Sequence, residues 1–207
     1  MSIRRELVKG TVWTAVGRYS HYLFQIVVSA ILARLLEPSD FGVVSMVLVY
    51  TGFVDLLAEF GISATVVQKR YLDRTGLSTV FWLAGFIAVL LTGISILLSP
   101  AIEAFFSFDG LRLVVQVMSL NLLLVGLGTV PQGLMQQRLA FKQLAILEIV
   151  TTILGGVIGI VFAFQGWGYW ALIVQTLSVR LSRVIGLCLY TRWLPLLTIQ
   201  VLSLIHI

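Results

Sequence analysis

The chain is 207 residues long, 59% hydrophobic and only 11% charged, with a formal net charge of +5 and a mean hydropathy of +1.03. Soluble domains carry about 25% charged residues, so these figures exclude a water-soluble globular fold and point to lipid as the solvent. The basic excess needs no nucleic acid to explain it, because Lys and Arg gather in the cytoplasmic loops of membrane proteins.

Six membrane-spanning helices are predicted, which makes an all-α polytopic bundle. A basic start, Arg4, Arg5 and Lys9, leads into a first span over residues 11–36. That run is longer than the apolar part of a signal peptide and further spans follow, so it reads as an uncleaved helix. It stops at the turn Glu37-Pro38-Ser39-Asp40, and a second span follows over 41–60. The third span covers 77–99, with Pro100 as its stop, and the fourth covers 113–130, ending at Pro131. No charge occurs between Arg74 and Glu103 or between Arg112 and Arg138, and about 20 apolar residues suffice to cross the hydrocarbon core. From Gln143 to Thr191 the only charges are Glu148, Arg180 and Arg183. A single helix of that length would measure ~74 Å, more than twice the membrane thickness, so the stretch folds back. The break falls at Gln165-Gly166-Trp167-Gly168, which gives a fifth span over 144–164 and a sixth over 169–190. Together 1–195 form a six-helix lobe. Residues 196–207 form an apolar tail ending in LSLIHI, without a stop-transfer charge; the expectation is a truncated or artefactual reading frame.

Lysine and arginine are unevenly shared between the two sets of span ends. One set holds Arg4, Arg5, Lys9, Lys69, Arg70, Arg74, Arg138, Lys142 and Arg192, and the other only Arg34 and Arg112. The positive-inside rule makes the first set, and both termini, cytoplasmic. Two connections on that side, 62–76 and 133–142, mix apolar and basic residues. Each reads equally as an interfacial helix or as an ordinary basic loop.

No phosphate-binding glycine loop, metal-spaced Cys/His set or nucleophile elbow is present, so neither an enzyme nor a metal or cofactor site is expected. His21 and His206 are isolated; His21 beside Tyr22 could line a cavity but reads chiefly as part of a packed aromatic helix face. Gly155 and Gly159 read as helix-packing positions. Cys188, the single cysteine, excludes an internal disulfide and reads as a small core or lipid-facing residue. The ionisable groups within the spans carry the functional signal, because each costs at least ~2.5–3.5 kcal/mol in a helix centre unless it faces a cavity or partner. They are Arg18, Asp55, Glu59, Glu148, Arg180 and Arg183, all in the cytoplasmic half by residue count. Arg18, Arg180 and Arg183 would suit a phosphate or pyrophosphate group, since guanidinium forks match its oxygens bidentately. Asp55, Glu59 and Glu148 are the polar or ion-pair partners. The competing reading pairs Arg18 with Asp55 structurally and lets Arg183 and Glu59 reach the interface.

The stretch 9–46, with its LARLLEPSDFG turn, the segment 55–70, DLLAEFGISATVVQKR, and the segment 131–150, PQGLMQQRLAFKQLAILEIV, resemble the polysaccharide biosynthesis (O-antigen and lipopolysaccharide flippase) proteins of the multidrug/oligosaccharidyl-lipid/polysaccharide exporter superfamily. The resemblance runs to about Pro195. It implies one lobe of a two-lobe transporter in the bacterial inner membrane, with a missing C-terminal lobe or a second copy as partner. It implies flipping of undecaprenyl-pyrophosphate-linked oligosaccharide by alternating access, with cationic cavity residues receiving the pyrophosphate. Arg18, Arg180 and Arg183 are the positions that match by depth and charge. A cation-coupled multidrug exporter and a non-transporting scaffold of envelope glycan assembly are the alternatives.

Overall fold

A computed structural model describes residues 3–59 and 74–196. Six helices carry the chain, in the order α1 (Ile3–Leu35), α2 (Pro38–Glu59), α3 (Arg74–Phe106), α4 (Leu111–Gln137), α5 (Phe141–Phe164) and α6 (Trp170–Thr191). No strand occurs among the described residues. The fold is all-helical, and α3, α4, α5 and α6 are each long and apolar enough to cross a membrane. The first helix is long enough, at 33 residues, but its polar residues, Arg18, Ser20, His21 and Gln25 among them, lower its hydropathy. The second expected connection, 133–142, is not a separate interfacial helix: α4 runs on through Gln137 and α5 begins at Phe141. Most of the first, 62–76, lies outside the described residues, as does the tail 197–207.

Neither proline stops its helix. Pro100 lies inside α3 and Pro131 inside α4. Proline removes one N–H and leaves the carbonyl four residues back without its donor. Behind Pro100 that carbonyl is Ile96 O, and the Ser99 hydroxyl donates to it at 2.7 Å. Inside lipid, where water cannot fill the gap, such a side-chain replacement is what lets a helix continue.

Packing is chiefly between hairpin neighbours, α3 along α4 and α5 along α6. Helix α1 lies along α5, α4 along α6, and α2 against α4. The hairpin α5–α6 closes tightly because glycines line its seam. A Cβ on Gly159 would lie 2.8 Å from the Gln175 Cβ, and Gly155 faces Val179 and the Gln175 carbonyl. With hydrocarbon on all sides there is little hydrophobic drive between helices, so close approach of backbones supplies the attraction.

The two ends of the bundle differ. At the end holding the α1–α2, α3–α4 and α5–α6 turns, a continuous apolar cluster seals the interior. Leu32 of α1 and Leu36 just after it, Val43 and Val47 of α2, Val114 and Met118 of α4, and Ala171 and Ile173 of α6 are all buried there. Asp40 binds two turns together in this region: Oδ2 accepts from Glu37 N at 3.0 Å and Oδ1 from Tyr169 N at 2.9 Å. Glu103 does the same for the α3–α4 turn, accepting from Gly110 N at 2.8 Å. At the opposite, basic end Lys142 sits 5.2 Å from the Trp13 ring centroid. There the segment after α6 docks on α3, with Trp82 Nε1 donating to Leu196 O at 2.9 Å and Leu196 N to Ser78 Oγ at 2.9 Å. Helices α1 and α2 diverge from their shared turn, one following α5 and the other α4. That divergence opens the site.

Candidate functional site

On α1, Thr14, Arg18, His21, Gln25 and Ser29 are spaced by three and four residues and therefore share one face. Glu148 and Thr152 stand one turn apart on α5, and Gln175, Thr176, Arg180 and Arg183 form a polar stripe on α6. These faces converge. A cavity of about 440 Å³ is lined by His21, Gln25 and Ser29 of α1, Ser45 of α2, Glu148 and Thr152 of α5, and the α6 stripe. Its apolar base is formed by Val28, Val44 and Leu172, residues of the sealed cluster, with Phe41 packed beside them. A second cavity of about 250 Å³ lies toward the basic end, lined by Thr14, Arg18, Gln132, Gln136, Glu148 and Arg183. Glu148 and Arg183 line both, so the two adjoin at that pair.

The structure thus places Arg18 and Arg183 around the outer cavity and Arg180 and Arg183 around the inner one, with Glu148 between. Among the described lining residues there are three guanidinium groups and one carboxylate. Arg180 and Arg183 are half-buried and Arg18 is exposed. Asp55 and Glu59 lie on the last turns of α2, and their side chains fall outside the described residues, as does any pairing of Asp55 with Arg18.

His21 pairs with the Tyr22 ring, centroids 5.8 Å apart and tilted by 58°, and it also lines the cavity. Tyr22 is 52% exposed, and the His21 Nδ1 lies 2.8 Å from Thr152 Oγ1. Thr152 in turn donates to Glu148 O at 2.7 Å, which ties the polar faces of α1 and α5 together. Charge alone does not single out Gln25, Thr152 and Gln175, and it leaves His21 as the lesser of two readings. The three- and four-residue spacing of polar residues on α1 is the signal for His21 and Gln25; Thr152 and Gln175 lie on α5 and α6, and no such spacing on α1 marks them.

Gly155 and Gly159 do pack helices, as their spacing indicated. Cys188 is a free, exposed thiol on the outer face of α6, not a core residue. With apolar side chains such as Phe86 (66% exposed), Leu97 (79%) and Leu189 (71%) covering the outside, this is a multi-pass membrane protein with a polar cavity among its helices.

The chain belongs to the family of polysaccharide biosynthesis proteins, whose model matches residues 31–207. It is 31% identical to an "uncharacterized membrane protein in cps region" of Klebsiella pneumoniae, over 75% of this chain and 32% of the relative. It is 26% identical to the succinoglycan biosynthesis transport protein ExoT of Rhizobium meliloti, over 92% and 39% of the two chains. The lipopolysaccharide biosynthesis protein WzxC of Escherichia coli is 25% identical over 75% and 32%. The chain therefore spans between about a third and two fifths of the length of these relatives. No solved structure matches it.

Proposed function

We propose that the chain is one lobe of an inner-membrane transporter that flips an anionic, lipid-linked oligosaccharide by alternating access, holding its pyrophosphate in the cationic cavity. The observation that carries this is the meeting of Arg18, Arg180 and Arg183 from two helices around Glu148. Guanidinium forks bind phosphate oxygens in pairs, and a cavity of about 440 Å³ is within the range that holds a small head group while the lipid tail stays outside. The family and the transport protein among the relatives support the same reading. Undecaprenyl pyrophosphate is the carrier proposed, and a second six-helix lobe, from the same gene or a second copy, would complete the cavity wall. The basic end faces the cytoplasm in this reading, so the cavity loads from the cytoplasmic leaflet. Nothing in the site calls for covalent chemistry, and the role is transport rather than catalysis.

The test is substitution of Arg180 and Arg183 by Ala, separately, with surface polysaccharide and binding of a pyrophosphate lipid as readouts. Each loss of a charged hydrogen bond of about 1.5–3 kcal/mol weakens binding by roughly 10- to 100-fold. Wild-type binding and polysaccharide in both variants would sink the site. A scaffold role predicts that Arg180→Lys is silent, whereas loss of the planar fork impairs a pyrophosphate clamp.

A further inference from the structure

His21 has a fixed hydrogen-bonding orientation that the arginine clamp does not require. Thr152 Oγ1 lies 2.7 Å from Glu148 O, four residues back on the same helix. Two oxygens that close repel unless a hydrogen lies between them, so the single hydroxyl hydrogen of Thr152 points at the carbonyl. The hydroxyl then meets His21 Nδ1, 2.8 Å away, only as an acceptor. Nδ1 therefore carries the hydrogen, and in the neutral ring Nε2 is a bare lone pair.

That ring lines the same cavity as Arg180 and Arg183. A phosphate offers only acceptor oxygens, and a lone pair facing them repels. An anion can meet Nε2 only after Nε2 gains a proton and becomes a donor. The charged groups facing the cavity around the ring are Arg18, one turn away on α1, Arg180 and Arg183 from α6 and Glu148 from α5, and α2 contributes Ser45 as its polar lining among the described residues.

We propose that the cavity binds its anionic ligand together with one proton, and that the proton sits on His21 Nε2. This rests on the anion-binding reading above and extends it: the site is a joint proton and pyrophosphate site. Histidine is the side chain whose charge changes in the physiological range, and coupling between two ligands is reciprocal. Affinity for the anion therefore falls as pH rises, and binding draws protons from the buffer.

The experiment measures binding of a pyrophosphate diesterified at both ends, one ester a short prenyl chain, to the chain in lipid nanodiscs between about pH 5.5 and 8. Neither phosphate of such a probe titrates there, so the slope reports the protein. We expect affinity to drop by up to about tenfold per pH unit, with proton uptake seen as a dependence of the calorimetric heat on buffer ionisation enthalpy. His21→Gln keeps a neutral donor and flattens the slope. Thr152→Val frees the ring to carry its hydrogen on Nε2 while neutral, so it also reduces the slope and the proton uptake. Tight binding with a flat profile in the unaltered protein overturns the proposal and leaves the arginine site standing. A slope that persists undiminished in His21→Gln overturns His21 as the proton site. Absence of binding at every pH defeats the anion reading itself and this inference with it.

Discussion

Asp40 uses both carboxylate oxygens on backbone N–H groups, one from its own turn and one from Tyr169, 129 residues away. The first bond is the back-reaching arm of a capping box at the start of α2. The second holds the α1–α2 turn against the α5–α6 turn, where Gly168 has a φ of +53 and a Cβ would sit 3.0 Å from Asp40 Oδ1. Hydrogen bonds to a charged group contribute roughly 1.5–3 kcal/mol each, less where water reaches them, so Asp40→Ala is expected to cost about 2 kcal/mol. Thermal unfolding of the purified variant in detergent checks it, and a transition within a degree of the unaltered protein would show the clip to be idle. Asp40→Asn, which keeps an accepting oxygen for Tyr169, is expected to lose less. The carboxylate was legible in the sequence as a turn residue. Its partner Tyr169 was not, because nothing local in LLEPSDFG specifies which distant turn it meets.

At the scale of the element, the Glu37-Pro38-Ser39-Asp40 turn, the charge-free runs and the Gly-Trp-Gly break located the six helices, since lipid leaves so few ways to place a backbone. The helix ends were less legible. Pro100 read as a stop because proline breaks helices in water, and the compensating bond from Ser99 to Ile96 O becomes decisive only where water is absent. Ser99→Ala is accordingly expected to destabilise α3 by about 1–3 kcal/mol, the cost of a carbonyl left without a donor where water is absent. Amide exchange measured residue by residue around Ile96 reports it, and unchanged protection there would refute the account. The α5–α6 seam makes a sharper case. Gly159→Leu forces a branched side chain into Gln175, where even a Cβ comes within 2.8 Å. It is expected to separate the hairpin and abolish stable expression, whereas the same change at Gly85, which has no heavy atom within 4 Å of a built Cβ, is expected to be tolerated. The polar stripe on α1 was present in the sequence at positions 14, 18, 21, 25 and 29. Weighing charged residues alone singled out Arg18 and left His21 and Gln25 aside. What the sequence could not supply was the pairing of that stripe with α5 and α6, because Thr152 is 131 residues from His21.

Across the whole molecule, one end is sealed by Leu32, Val47, Val114, Met118 and Ile173, and the cavities lie between that seal and the basic end. Among the described residues the polar cavities lie on the basic side of this seal, and access from one side is half of what alternating access needs. The prediction is directional. With Cys188 replaced by Ser, Gln25→Cys and Ser29→Cys place single thiols in the inner cavity, and Leu189→Cys places one on the lipid-facing surface, where Leu189 is 71% exposed. If the basic end is cytoplasmic, a charged, membrane-impermeant thiol reagent labels the two cavity positions in inside-out vesicles and not in intact cells with a permeabilised outer envelope, while Leu189→Cys stays unlabelled in both. A diesterified pyrophosphate present during labelling is expected to slow the reaction at Gln25→Cys, because a ligand held between Arg180 and His21 would occupy the space in front of it. Labelling from the outer face alone would reverse the orientation and with it the leaflet from which the cavity loads. Equal labelling from both faces would mean that the apolar cluster does not seal, and that the resting state of this lobe is already open on the far side.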